Sequence, residues 1–94
     1  MEIRFYEDPQ TGLPHIYGHG VTEDEVWQVF SSGGEDLPGT RDSRMKLGRT
    51  RAGRFLQVIY VPDEAPDSVF VISAYELRGK AKTAYRRRQR RKRG

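Results

Sequence analysis

Residues 54–75 read RFLQVIYVPDEAPDSVFVISAY, two runs of strand formers separated by a short segment with two prolines and three acids. β-Branched and aromatic side chains dominate Arg54–Val61 and Ser68–Tyr75, and the prolines confine the link to a turn. The runs are therefore expected to pair as neighbouring antiparallel strands. Both are apolar almost throughout, as in central strands covered on both faces, or on one face with an interface on the other. Just upstream, Arg44–Thr50 alternates Met45 and Leu47 with Arg44 and Lys46, and Arg51–Gly53 makes a tight hairpin into Arg54. The result is a three-strand meander.

The flanking segments supply helices. In VTEDEVWQVF (residues 21–30), Thr22 is a good N-cap and Glu25, three residues on, completes a capping box. Val21 and Val26 form the matching hydrophobic staple, while Val26, Val29 and Phe30 line one face and Glu23, Asp24 and Gln28 face out. The helix ends at SSGG, and SSGGEDLPGTRD reads as a mobile loop. Nearer the start, Glu2–Tyr6 is a candidate strand, DPQTGLP a turn, and HIYGHG one helical turn ended by Gly20. After Glu76, Leu77, Ala81, Ala84 and Tyr85 place a narrow apolar stripe on a final helix. The expected fold is α+β: a small antiparallel sheet, the three-strand meander plus the N-terminal strand, with packed helices. Residues 1–85 form the single domain, and 86–94 a basic extension whose arginines repel one another and fray the helix.

At 94 residues the chain makes one domain at most. The absence of cysteine excludes disulfides, thiolate chemistry and Cys-based metal sites. No basic segment followed by an apolar stretch opens the chain, and VFVISAY is far too short to span a bilayer. A soluble, cytoplasmic protein without a membrane partner is expected. The net charge of +4 conceals an asymmetry. From Arg78 onward there are ten basic residues and no acids, whereas residues 1–77 hold seven basic and thirteen acidic residues, a net of −6. Such cationic blocks are frequent nucleic-acid arms; the alternatives are a solvated tail or one folded back onto the acidic body.

Patterns for a P-loop, a catalytic triad or a metal site are lacking. His15 and His19, four apart, would share a helical face with Glu23 nearby, but Gly18 weakens that helix and a third ligand is not assured, so no metal or other cofactor is expected. What remains suits phosphate chemistry. Arg41, Arg44, Lys46, Arg49, Arg51 and Arg54 cluster in or beside the first hairpin, and Arg44, Lys46 and Arg54 are candidates for one face. Guanidinium forks bind phosphate oxygens and neutralise charge developing in a transition state. Next to His19 and Tyr75, such a face would suffice to cleave RNA through attack of a 2′-hydroxyl on its own phosphate. On the bland alternative, these arginines pair with Glu35, Asp36 and Asp42 or sit in water.

HGVTEDEVWQVF, RMKLGRTRAGRFLQVIYV and VFVISAYELRGKAKTAYRRR, in that order, resemble a BrnT-type toxin or a relative of it, within the RelE/ParE-like superfamily of bacterial toxin–antitoxin systems. The resemblance spans roughly residues 15–88. It rests on His19-Gly20-Val21, Glu25 and Phe30, the Arg44 and Gly48 strand, Tyr60, Ile72-Ser73-Ala74 and Tyr85. It implies a small α+β ribonuclease acting on messenger RNA and neutralised by a DNA-binding antitoxin. His19 and Arg44 fall on family-like positions. Where the family usually reads Ile-Ser-Ala-Arg, this chain has Tyr75, which cannot replace the arginine's charge.

The leading expectation is thus a toxin-like, metal-independent ribonuclease with His19, Arg44, Arg54 and Tyr75 catalytic. RNA would be held by Lys46, Arg49, Arg51, Arg86, Arg87, Arg88, Arg90, Arg91, Lys92 and Arg93. The alternatives are a catalytically silent nucleic-acid-binding protein of the same fold, and an interaction module for an acidic partner such as a cognate antitoxin.

Overall fold

The computed structural model describes residues 1–93, the side chain of Arg93 excepted. Among the described residues the elements run β1 (Glu2–Phe5), a 3-10 turn (His15–His19), α1 (Glu23–Ser31), β2 (Glu35–Pro38), β3 (Arg44–Arg49), β4 (Phe55–Pro62), β5 (Ser68–Glu76) and α2 (Gly79–Arg93). The fold is α+β, with one sheet in the order β1-β5-β4-β3-β2. The anticipated meander is β3–β4–β5, antiparallel throughout, with Gly48 opposite Leu56 and Gln57 opposite Tyr75.

Two features of the sheet depart from the sequence-based expectation. The presumed loop at 31–42 contains β2, an edge strand antiparallel to β3. Its residues, Glu35-Asp36-Leu37-Pro38, are poor strand formers, but a short, acidic, Pro-ended strand is what a sheet edge tolerates. The sheet is also mixed rather than antiparallel, because β1 joins β5 in parallel, Ile3 opposite Val69 and Phe5 opposite Val71. β4 already occupies one edge of β5, and no hairpin dictates the direction of a strand arriving from far away in sequence.

Alternation along the strands splits the packing between the two faces. Leu56, Val58 and Tyr60 of β4, with Val69, Val71 and Ala74 of β5, pack against Ile16, Val21, Val26 and Val29. Both staple valines are essentially inaccessible to solvent. The capping box forms as expected: the Glu25 N–H donates to Thr22 Oγ1 at 3.1 Å, and the Thr22 N–H to Glu25 Oε1 at 3.0 Å. Gly48 lets α1 lie directly on β3, since a Cβ there would stand 2.8 Å from Ser32 Oγ and 2.9 Å from a Val29 methyl.

On the opposite face Leu47, Leu77 and Tyr85 form a second cluster, flanked by Leu37 and Phe55. Tyr85 is thus a packed residue of α2, as its stripe suggests, although Ala81 is exposed and the stripe is narrower than expected. This cluster covers only part of that face; Ile59, Phe70 and Ile72 stay half-buried. Instead of fraying past Tyr85, α2 continues to Arg93. Its second half is tied down by Arg88, whose Nε and Nη2 donate to the two Glu35 oxygens at 2.6 and 2.7 Å. No helix among the described residues is long and apolar enough to cross a membrane.

Candidate functional site

The histidine segment is built from a tight loop. Asp8 and Leu13 close it through a backbone bond of 2.8 Å, and the His15 N–H donates to the Tyr6 carbonyl, also at 2.8 Å. The 3-10 turn then runs to Gly20, whose left-handed φ of 72° glycine adopts without strain, swinging the chain into the Thr22 cap. The consequence is a row of four aromatic rings in edge-to-face contact. Tyr6 meets His15 at 6.0 Å between centroids, His15 meets His19 at 5.2 Å, and His19 meets Tyr75 of β5 at 5.2 Å. Two of the predicted catalytic residues, His19 and Tyr75, are therefore brought together at the surface. His15 Nδ1 lies 3.8 Å from Asp8. Glu23 does not join the histidines; it accepts a hydrogen bond from the Tyr17 hydroxyl at 2.6 Å. Among the described residues no three acids or histidines gather as metal ligands would.

The two predicted catalytic arginines are each engaged by carboxylates. Arg54 Nη1 donates to the Gly20 carbonyl at 2.8 Å and to Glu25 at 3.0 Å, and its Nε to Glu76 at 3.3 Å. Burial opposes its charge, but the bonds to Glu25 and Glu76 outweigh this and raise its pKa above the ordinary value. Arg54 thus ties the 3-10 turn, the start of α1 and the end of β5 into one corner. Arg44 lies on β3 opposite Tyr60 of β4, with another strand between it and Tyr75. Its Nε donates to Asp36 at 2.8 Å, as the bland alternative anticipated. The Tyr60 hydroxyl donates to the other Asp36 oxygen. Burial and the Asp36 charge push the Tyr60 phenol up to about 12. Burial of Asp36 works against ionisation, yet the bonds from Tyr60 and Arg44 hold its carboxyl below the usual range. Lys46 adds its charge to the same corner of the sheet.

The predicted nucleic-acid-binding residues divide sharply by partner. Arg88 pairs with Glu35, and Arg51 makes only a loose, exposed approach to Asp24 at 3.8 Å. Arg49, Arg86, Arg87, Arg90, Arg91 and Lys92 have no salt bridge among the described residues, and the side chain of Arg93 lies outside them. The guanidiniums of Arg49 and Arg86 sit 5.3 and 5.8 Å from the Phe55 ring centroid, and the Lys82 ammonium 5.2 Å from it. A cleft of about 280 Å³ opens here between α2 and the β3–β4 hairpin, lined by Ser32, Arg49, Phe55, Tyr85, Arg86, Gln89 and Arg90. Lys80, Lys82, Phe55 and Gln89 were missing from the sequence-derived set. The lysines were visible as part of the acid-free run from Arg78, and Phe55 as the aromatic that directly follows the arginine-rich hairpin.

No known protein family, curated protein or solved structure matches the chain.

Proposed function

We propose that this chain binds RNA through the outward face of α2, and that binding rather than cleavage is the reading its geometry supports best. One observation carries it. Among the described residues only Arg88 of the α2 cations has a salt-bridge partner, leaving Lys80, Lys82, Arg86, Arg87, Arg90, Arg91 and Lys92 along a 15-residue helix without one. Like charges held on one rod repel each other, and a polyanion with regularly spaced phosphates relieves that repulsion while releasing its own counterions. The resemblance to RNA-cleaving toxins supports the same partner. If about five phosphates are engaged, affinity for single-stranded RNA should fall roughly 100-fold as salt rises from about 50 to about 200 mM. Fluorescence anisotropy with a labelled mixed-sequence RNA measures this directly. Salt-insensitive binding, or full affinity after removal of residues 86–94, would refute the reading.

The contact between His19 and Tyr75 favours a second reading, metal-independent ribonuclease activity. One of the pair would take the proton of the 2′-hydroxyl as its oxygen attacks the neighbouring phosphorus. The other would return a proton to the departing 5′-oxygen, leaving a 2′,3′-cyclic phosphate. Against it stand the carboxylates that already neutralise Arg44 and Arg54, the groups meant to stabilise the phosphorane. End-labelled RNA incubated in EDTA with the parent protein and with Tyr75→Phe separates the readings. A mobility shift without cleavage is the expected outcome. Cleavage to cyclic-phosphate ends that Tyr75→Phe abolishes would establish the enzyme instead. Intact, unshifted RNA would overturn both and redirect attention to an acidic protein partner.

A further inference from the structure

We infer that the cleft between α2 and the β3–β4 hairpin receives one nucleotide of a single-stranded RNA, an inference that rests on the RNA-binding reading above. Arg86 and Arg90, four residues apart, share a face of α2, and Arg49 approaches from the end of β3. All three line the cleft; among the described residues no carboxylate lines it and none of the three has a salt bridge. Three converging cations without an acid between them form an arrangement that an anion completes. Guanidinium forks grip phosphate oxygens bidentately. Two of the forks are also held in place, over the Phe55 ring at 5.3 and 5.8 Å.

Gln89 lines the same cleft, and its side chain reaches toward Glu35 and helps to lower that carboxyl. The Arg88–Glu35 pair meanwhile roots α2 beside the sheet, so the cleft walls are set before any ligand arrives.

The size of the cleft selects the form of the nucleic acid. At about 280 Å³ it is at the lower end of ligand pockets, with room for a single nucleotide. A duplex presents its phosphates on a wide, stiff surface and keeps its bases stacked inside. An unpaired strand can turn one phosphate inward and lay its base against Phe55 or a guanidinium plane.

Two double variants test this against a short labelled single-stranded RNA and the same sequence as a duplex. Arg49→Gln with Arg90→Gln removes two charges from the cleft; Arg87→Gln with Arg91→Gln removes two from α2 outside it. The parent protein should prefer the single strand. The cleft variant should lose about 30-fold in affinity for it and lose the preference, whereas the outer variant should lose about 5-fold on both RNAs and keep the preference. Thermal melts confirm that both variants fold. Equal losses from the two variants, or a parent that prefers duplex, would overturn the cleft while leaving the RNA-binding reading intact. A parent that binds neither RNA would remove that reading, and the cleft with it.

Discussion

Gly48→Val should lower the melting temperature by about 12–24 °C, equivalent to about 3 kcal/mol for a domain of this size. The Cβ alone would stand 2.8 Å from Ser32 Oγ, 2.9 Å from Val29 Cγ1 and 3.2 Å from the Val29 carbonyl. The serine hydroxyl can rotate away, but it then gives up its bond to the Val29 carbonyl at 2.8 Å. Val29 has no room to retreat, being fully buried between α1 and the sheet. Two further methyl groups on the valine make the clash worse, so α1 must lift from β3 and open the core around Leu56 and Val58. Gly18→Ala is the matched control, since nothing lies within 4 Å of a Cβ there. Differential scanning calorimetry on both variants decides the matter. If Gly48→Val melts within a few degrees of the control, α1 does not rest on β3 as described.

Arg88→Ala should be destabilising by about 2 kcal/mol at neutral pH, a drop of about 8–16 °C in melting temperature. Glu35 is the reason. Its side chain is only 8% exposed, and without Arg88 a buried carboxylate would lose both of its guanidinium bonds. Because the Arg88 side chain is itself 43% exposed, the figure is set below that of a fully buried pair. The pair also has a pH signature. The Arg88 bonds hold the Glu35 carboxyl below its ordinary pKa despite its burial. A carboxyl depressed in the folded state contributes stability that is present above the ordinary glutamate range and is lost as pH falls through the folded value. The parent's advantage over Arg88→Ala should therefore shrink on acidification and vanish in strong acid. An advantage that stays constant with pH would mean that Tyr85 and Leu77 hold α2 without the ion pair.

Local patterns were readable because their causes lie within a few residues. The Thr22–Glu25 box needs only a cap, a spacing and an apolar neighbour. The meander announced itself through β-branched runs broken by prolines and a glycine. β2 is hidden in the sequence because Glu35, Asp36 and Pro38 are weak strand formers individually; it exists because β3 offers it an edge and Leu37 packs against the cluster of Leu47, Leu77 and Tyr85. The direction of β1 was equally hidden, as periodicity reveals that a segment is a strand but not which neighbour it joins.

The site divides in the same way. Its inventory of cations, histidines and tyrosines is legible in the sequence, and the excess of arginine and lysine after Arg78 is what raises the expectation of a polyanionic partner. Which charges remain available for a ligand was another matter. Arg44 and Arg54 resemble Arg49 and Arg90 in sequence, yet sheet register sets the first beside Asp36, while the second meets Glu25 and Glu76, 29 and 22 residues away. An arginine's chemistry is constant, but its charge is available to a ligand only where the fold brings no carboxylate within reach. Long-range pairing therefore separated the arginines that hold the corners of the sheet from those that line the cleft.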